Sequence, residues 1–112
     1  MLAKARPVDS LDPGGSMNGL ERAFAQELER RCLAGEIASW RFQPLRLILA
    51  PATTYCPDFQ VILPDGRLEL VEVKGFWRDD ARVKVKLAAA LFPEFGFVAV
   101  QRRKAAWSEE RF

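Results

Sequence analysis

Two acidic residues and one lysine are spaced so that they could form a metal-dependent hydrolytic site. Asp58 precedes one predicted strand, and Glu72 and Lys74 come at the end of the next. Magnesium prefers oxygen ligands and commonly takes one or two carboxylates, with waters and substrate phosphate completing its coordination. Because Glu72 and Lys74 are two residues apart, their side chains would share one face of a strand. The pattern therefore predicts an ammonium group beside a carboxylate-bound metal ion.

The composition narrows the chemistry that the chain can perform. Histidine is absent from the 112 residues, which removes the commonest general base, the usual zinc ligands and any Ser-His or Cys-His nucleophile. Two cysteines, Cys32 and Cys56, are too few for a disulfide framework or a zinc site. No segment reaches the ~18 apolar residues of a membrane span, and no apolar secretory signal begins the chain. We therefore expect a protein of a reducing bacterial or viral cytoplasm. Any catalysis would depend on carboxylates, lysine and a hard metal.

Basic residues are concentrated in the part of the chain that follows Glu72. Residues 74–104 contain eight Lys and Arg against three acids, a net charge of +5, whereas the whole chain carries +2. This asymmetry suits a phosphate backbone as partner, and a solvated surface is the ordinary alternative. The candidate DNA contacts are Arg82, Lys84, Lys86, Arg102, Arg103 and Lys104.

Local patterns predict one folded domain over residues 17–112. Residues 1–16 lack periodicity and are expected to form a flexible leader, with Met17 as a candidate native start. Apolar residues at every fourth position predict a helix from Asn18 to Leu33. The stretch Trp40–Leu49 is predicted to be extended, and Pro44 within it favours an edge or a bend.

A hairpin and a second helix are expected to position the acidic pair. Asp65-Gly66 is a strong turn signal between predicted strands at 59–63 and 68–74. A helix from Asp79 to about Phe92 is predicted to lead to a strand at 96–102, parallel to its neighbour. The apolar residues assigned to the core face of that helix are Val83, Leu87, Ala90 and Leu91. The expected fold is α/β (α+β): a mixed four-stranded sheet flanked by helices, in the order helix-β-β-β-helix-β.

Each candidate site residue also has a structural explanation. Asp58 is at home in a turn after proline, and Glu72 or Lys74 alone could face solvent on a strand. Taken together, they would put like charges on neighbouring strands, a cost that a purely structural sheet need not carry. Glu21, on the first predicted helix, is either a capping residue or a further carboxylate that shapes a second metal position.

An extended string of motifs resembles the PD-(D/E)xK, or restriction-endonuclease-like, nucleases, and is most similar to the endonuclease I type of phage Holliday-junction resolvases. The matching residues, within 19–100, are Gly19-Leu20-Glu21, Tyr55-x-Pro57-Asp58-Phe59, Glu72-x-Lys74-Gly75-x-Trp77 and Asp79-Asp80-x-Arg82-x-Lys84. The resemblance implies a restriction-endonuclease-like core and a homodimer that cleaves branched DNA with Mg²⁺ or Mn²⁺. It also implies that Asp58 and Glu72 bind the metal, that Lys74 orients the water, and that Glu21 is the acid of the first helix, with a swapped dimer as one arrangement.

These observations lead us to expect a divalent-metal-dependent, structure-selective DNA endonuclease, with a phage Holliday-junction resolvase as its most specific form. Two alternatives remain open. One is the DNA-cleaving subunit of a transposition or restriction system, which would need a partner for targeting. The other is a non-catalytic DNA-binding protein on the same fold.

Overall fold

The computed structural model describes residues 4–7, 17–76 and 79–112, which form two helices and eight strands. The helices are α1 (Gly19–Leu33) and α2 (Asp79–Leu91). The strands are β1 (Lys4–Pro7), β2 (Ser39–Phe42), β3 (Leu45–Ala50), β4 (Thr53–Tyr55), β5 (Phe59–Ile62), β6 (Leu68–Val73), β7 (Gly96–Arg103) and β8 (Ala106–Arg111). In these ranges, no helix combines the length and the apolarity that crossing a bilayer requires.

The strands belong to two sheets. A five-stranded mixed sheet has the order β2-β5-β6-β7-β8, and a three-stranded antiparallel sheet has the order β1-β3-β4. Strands β5 and β6 form an antiparallel hairpin, and β7 returns through α2 to lie parallel to β6. The mixed α/β class, the hairpin and the parallel strand are therefore confirmed. The prediction of four strands is wrong, because β8 extends the main sheet beyond β7.

The stretch predicted to be extended from Trp40 to Leu49 is divided between the two sheets. Strand β2 pairs with β5, whereas β3 pairs with β1 and β4. The chain changes direction at Gln43, which has a left-handed φ of 45° and precedes Pro44. Of the predicted leader, Lys4–Pro7 forms β1, and residues 1–3 and 8–16 lie outside the described residues.

The main sheet is covered on both faces, which is why β6 is buried over its last four residues. On one face α1 contributes Phe24 and Leu28 to a cluster with Val71 and Val100. On the other face α2 and the smaller sheet pack in a second cluster, which includes Leu47, Tyr55, Leu70, Val85 and Phe97. Alternate residues of a strand point to opposite faces, so Glu72 lies on the α2 side of the sheet with Leu70.

The core face of α2 differs from the predicted one. Val85, Ala88 and Phe92 are buried, whereas Val83 is 61% and Leu87 42% exposed. The assignment of Val83, Leu87 and Ala90 to the core was wrong. Every residue from 87 to 91 is apolar, so the periodicity of this part does not select one face. Val85 also stands between two lysines, which hides it in the sequence pattern.

Candidate active site

The site lies where several strands of the main sheet end at one edge. Strand β5 starts at this edge and β6 finishes at it, with Phe59 paired to Val71. Continuing that antiparallel register by one residue places Asp58 opposite Glu72. Because β7 is parallel to β6, it ends at the same edge, and the Lys74 N–H donates to the Val100 carbonyl at 2.9 Å. Residues remote in sequence are thus brought together by strand pairing.

Both carboxylate oxygens of Glu72 have partners. The Tyr55 hydroxyl donates to Glu72 Oε1 at 2.7 Å, and Lys74 Nζ lies 2.9 Å from Glu72 Oε2. Glu72 is only 8% exposed. Among the described residues, it is the single charged residue that is buried. A buried carboxylate needs such partners, because an unpaired charge in the interior is costly. The two contacts fix its orientation within the sheet.

Asp58 is the second carboxylate of the site. Its Oδ2 accepts a hydrogen bond from the Val73 N–H at 2.8 Å. Burial, followed by the negative charge of Glu72, raises the pKa of Asp58 to about 8, and the Val73 hydrogen bond and the Lys74 charge only partly oppose this rise. Around neutral pH the site therefore favours the protonated form of Asp58, because two carboxylates are held close together away from water.

Glu21 caps α1 and also acts on the site through its charge. The Asn18 side chain accepts from the Glu21 N–H at 2.8 Å, and the Glu21 carboxylate accepts from the Asn18 N–H at 2.9 Å, which completes a capping box. The negative charge of Glu21 contributes to the raised pKa of Asp58. The structure thus shows the capping contact, and the charge of Glu21 reaches the acidic pair from the end of the helix.

Tyr55 is a residue of the site to which the sequence analysis gave no role. It is the single tyrosine of the chain, three residues before Asp58. It belongs to the smaller sheet, where it pairs with Leu47 of β3, and its hydroxyl reaches Glu72 across the interface between the two sheets. The available signal was an isolated tyrosine beside a candidate metal ligand, but the strand that carries it was not predicted.

The donor set suits a hard divalent cation. Throughout 17–76 and 79–112, no three His, Cys, Asp or Glu side chains are grouped so that they alone could hold a metal ion. Magnesium commonly takes one or two carboxylates and completes its coordination with water and phosphate. Asp58 and Glu72 are the two acids that the sheet register sets opposite each other. A cation between them would remove the repulsion that, together with burial, raises the pKa of Asp58. These two residues fit the metal that the sequence analysis predicted.

The candidate DNA contacts fall into two groups. Arg102, Arg103 and Lys104 are exposed at the end of β7 and in the turn to β8, on the edge that carries the site, and the Arg102 guanidinium lies 5.7 Å from the ring centre of Trp107. On α2, Lys84 and Lys86 are exposed on either side of the buried Val85. Arg82 forms an ion pair with Glu110, so part of its charge is already balanced.

The edge thus combines one buried and one partly buried carboxylate, an ammonium group and exposed basic side chains. Comparisons with models of known protein families, with characterised proteins and with solved structures found no match.

Proposed function

We propose that this chain is a divalent-metal-dependent DNA endonuclease with a restriction-endonuclease-like core. One observation carries the proposal: the strand register sets the partly buried Asp58 opposite the buried Glu72, and Lys74 Nζ lies 2.9 Å from Glu72. A purely structural sheet gains nothing from placing two acids opposite each other on adjacent strands. A hydrolytic site needs this arrangement, because the carboxylates bind the cation and the ammonium acts on the reacting groups.

The roles of the side chains follow from their contacts. When bound, Mg²⁺ or Mn²⁺ would lower the pKa of a water molecule and neutralise charge on the phosphate oxygens. Asp58 and Glu72 would hold the ion, and Tyr55 would keep Glu72 in its orientation. Once the charge of Glu72 is balanced by a cation, Lys74 Nζ can turn from Glu72 Oε2 to the attacking water or to a non-bridging phosphate oxygen.

The proposed reaction is hydrolysis of a phosphodiester. The water oxygen forms a bond to phosphorus while the bond between phosphorus and the leaving oxygen breaks in line with it. One proton of the water passes to solvent, and the leaving oxygen takes up a proton to become a hydroxyl. Lys74 would favour this step by placing positive charge where negative charge develops on the phosphate.

The basic side chains near the site support DNA as the substrate. Arg102 and Arg103 end β7 and Lys104 follows it, at the edge where β6 ends beside Glu72 and Lys74. Lysine and arginine that neutralise phosphates release counterions and so supply affinity without regard to sequence. Preference for branched DNA, and a homodimer that cuts two strands of a junction symmetrically, are the more specific form of the proposal and rest on the resemblance to the resolvases.

Cleavage of a labelled DNA panel tests the proposal. Duplex, single strand, flap and four-way junction are incubated with Mg²⁺, with Mn²⁺ or with EDTA. We expect metal-dependent cuts, with the branched substrates cut fastest. Asp58→Asn should abolish cutting, whereas Asp65→Asn should not, because Asp65 lies in the turn at the other end of the same two strands.

The same panel separates the alternatives. Unchanged binding of DNA with and without metal, together with no cutting of any substrate, would contradict the endonuclease and indicate a non-catalytic binding protein. Cutting that starts only when a second protein is added would indicate the catalytic subunit of a larger system.

A further inference from the structure

We infer that Tyr55 is a positioning residue that orients Glu72 for the metal, and that the smaller sheet serves the site by holding Tyr55 in place. The inference rests on the proposed function, since it concerns how the same site binds its cation. It assigns a role to a side chain, and to a sheet, that the proposed reaction alone does not explain.

The hydrogen bond between Tyr55 and Glu72 is the main observation. It is 2.7 Å long, joins residues 17 positions apart, and lies in the interior, with Tyr55 and Glu72 each 8% exposed. A hydrogen bond to a charged acceptor is stronger than a neutral one, and more so away from water. The contact therefore restrains the Glu72 carboxylate to one orientation.

Packing around Tyr55 holds its ring in place, and the hydrogen bond to Glu72 holds its hydroxyl. Its ring lies in the core cluster with Leu47, Leu70 and Phe97. Backbone pairing to Leu47 holds the strand that carries it. A close-packed aromatic ring has few orientations, so the hydroxyl is presented to Glu72 from a rigid support. The packing of the smaller sheet thus helps to fix the orientation of the Glu72 carboxylate.

The two partners of Glu72 differ in what they can do during a reaction. Lys74 is an ammonium group that contacts Oε2, and it would act on the substrate if a cation balanced the carboxylate. Tyr55 donates to Oε1 and is held by the core, so it stays with Glu72 throughout. A hydroxyl donor also leaves further lone pairs on the carboxylate available to a cation.

Hydrogen bonds to metal-binding side chains have a measurable effect on affinity. Removing such an outer partner typically weakens metal binding by roughly 10- to 100-fold. The expected change for Tyr55→Phe, which deletes one oxygen and keeps the ring, is therefore about 10-fold weaker Mn²⁺ binding, measured by calorimetry without DNA. Thermal melting of the same sample reports whether the fold is retained.

A matched control is available on the other side of the molecule. Trp40 Nε1 donates to Glu29 Oε1 at 2.7 Å, which is also an aromatic donor on a glutamate. Trp40→Phe should leave Mn²⁺ affinity unchanged. If Tyr55→Phe binds Mn²⁺ as tightly as the parent, the inference is wrong while the proposed function stands. If the parent itself binds no Mn²⁺, the proposed function is wrong.

A second measurement covers the case in which Tyr55→Phe does not fold. Because Tyr55 is the single tyrosine, growth with 3-fluorotyrosine places one fluorine beside Glu72 and nowhere else. We expect its ¹⁹F resonance to shift when Mg²⁺ is added to the parent protein and to stay unchanged in Glu72→Gln. A parent resonance that does not respond to Mg²⁺, in a sample that binds Mg²⁺ by calorimetry, would overturn the inference.

Discussion

Asp58 and Glu72 stand opposite each other where β5 begins and β6 ends, and their hydrogen-bonding partners differ. Glu72 is paired with Lys74 at 2.9 Å, whereas Asp58 accepts from a backbone N–H. When both acids are ionised, the negative charge of Glu72 acts on Asp58. Burial and this repulsion raise the pKa of Asp58 to about 8. The site should therefore respond to pH, to metal and to substitution.

Without metal, the free energy of unfolding should fall as the pH rises. The pKa of Asp58 goes from its ordinary 3.8 to about 8 on folding. Between these pH values the folded state holds the additional proton, so each rise in pH removes stability until the folded pKa is passed. Asp58→Asn stays neutral, so it should be more stable than the parent near pH 8, and its advantage should grow from pH 5 to pH 8.

Urea denaturation in EDTA, near pH 5 and near pH 8, measures this effect. Asp65→Asn serves as control, because the backbone N–H and the side chain of Arg67 lower the pKa of Asp65. Replacing Asp65 with asparagine should therefore not stabilise the protein at the higher pH. A parent protein whose stability is the same at both pH values would show that Asp58 does not carry the raised pKa.

Replacing Lys74 should separate metal binding from cleavage. Lys74→Met removes the ammonium from Glu72 Oε2, so Mn²⁺ affinity should be equal to or greater than that of the parent. Cleavage should nevertheless fall by roughly 100-fold or more, because the positive charge beside the phosphate is lost. Single-turnover cleavage and calorimetry on one sample test both parts, with Arg67→Met as a control for loss of a distant charge. If Lys74→Met cleaves at the parent rate, Lys74 has no role in the mechanism.

Arg103 should contribute to DNA binding through charge alone. It is exposed at the end of β7, beside the site. In the absence of metal, Arg103→Ala should make the slope of log affinity against log salt shallower by about 1, the value for one phosphate contact. Arg67→Ala, at the far end of the β5–β6 hairpin, should leave the slope unchanged. Equal slopes for the parent and Arg103→Ala would place the DNA elsewhere.

Replacing Ala52 with glycine should stabilise the protein. It has a left-handed φ of 57° in the turn between β3 and β4, where a Cβ atom costs about 1 kcal/mol and glycine is free of that cost. We expect Ala52→Gly to raise the free energy of unfolding by about that amount. Ala105→Gly is the control, because Ala105 is not among the described residues with positive φ, and glycine there should only add flexibility to the unfolded chain. Destabilisation by Ala52→Gly would contradict the turn geometry.

Turn residues explain which parts of the fold could be predicted. The β5–β6 hairpin was predicted because Gly66, with a φ of 91°, follows an aspartate, the sequence signal for such a turn. The chain also turns left-handed at Gln43, Ala52 and Lys104, which are not glycines. These positions separate β2 from β3, β3 from β4 and β7 from β8. The smaller sheet and the fifth strand of the main sheet were missed there, because the turns depend on tertiary packing rather than on residue preference.

The residues of the candidate site also differ in whether the sequence could predict their positions. Asp58, Glu72 and Lys74 lie at the ends of a hairpin whose turn is visible in the sequence, so their proximity could be predicted. Tyr55 could not be assigned, because its contact with Glu72 depends on the smaller sheet. The core face of α2 was also misplaced, since burial of Val85 between two lysines is decided by packing against the sheet.

The most direct test of a shared cation is a crystal structure of the protein with Mn²⁺, located by its anomalous scattering. We predict a manganese peak between the carboxylates of Asp58 and Glu72, with oxygen from both at bonding distance, about 2.2 Å, and with Lys74 Nζ displaced from Glu72 Oε2. A peak bound to only one of the two acids, or no peak at this edge of the sheet in crystals soaked at saturating Mn²⁺, would contradict the account.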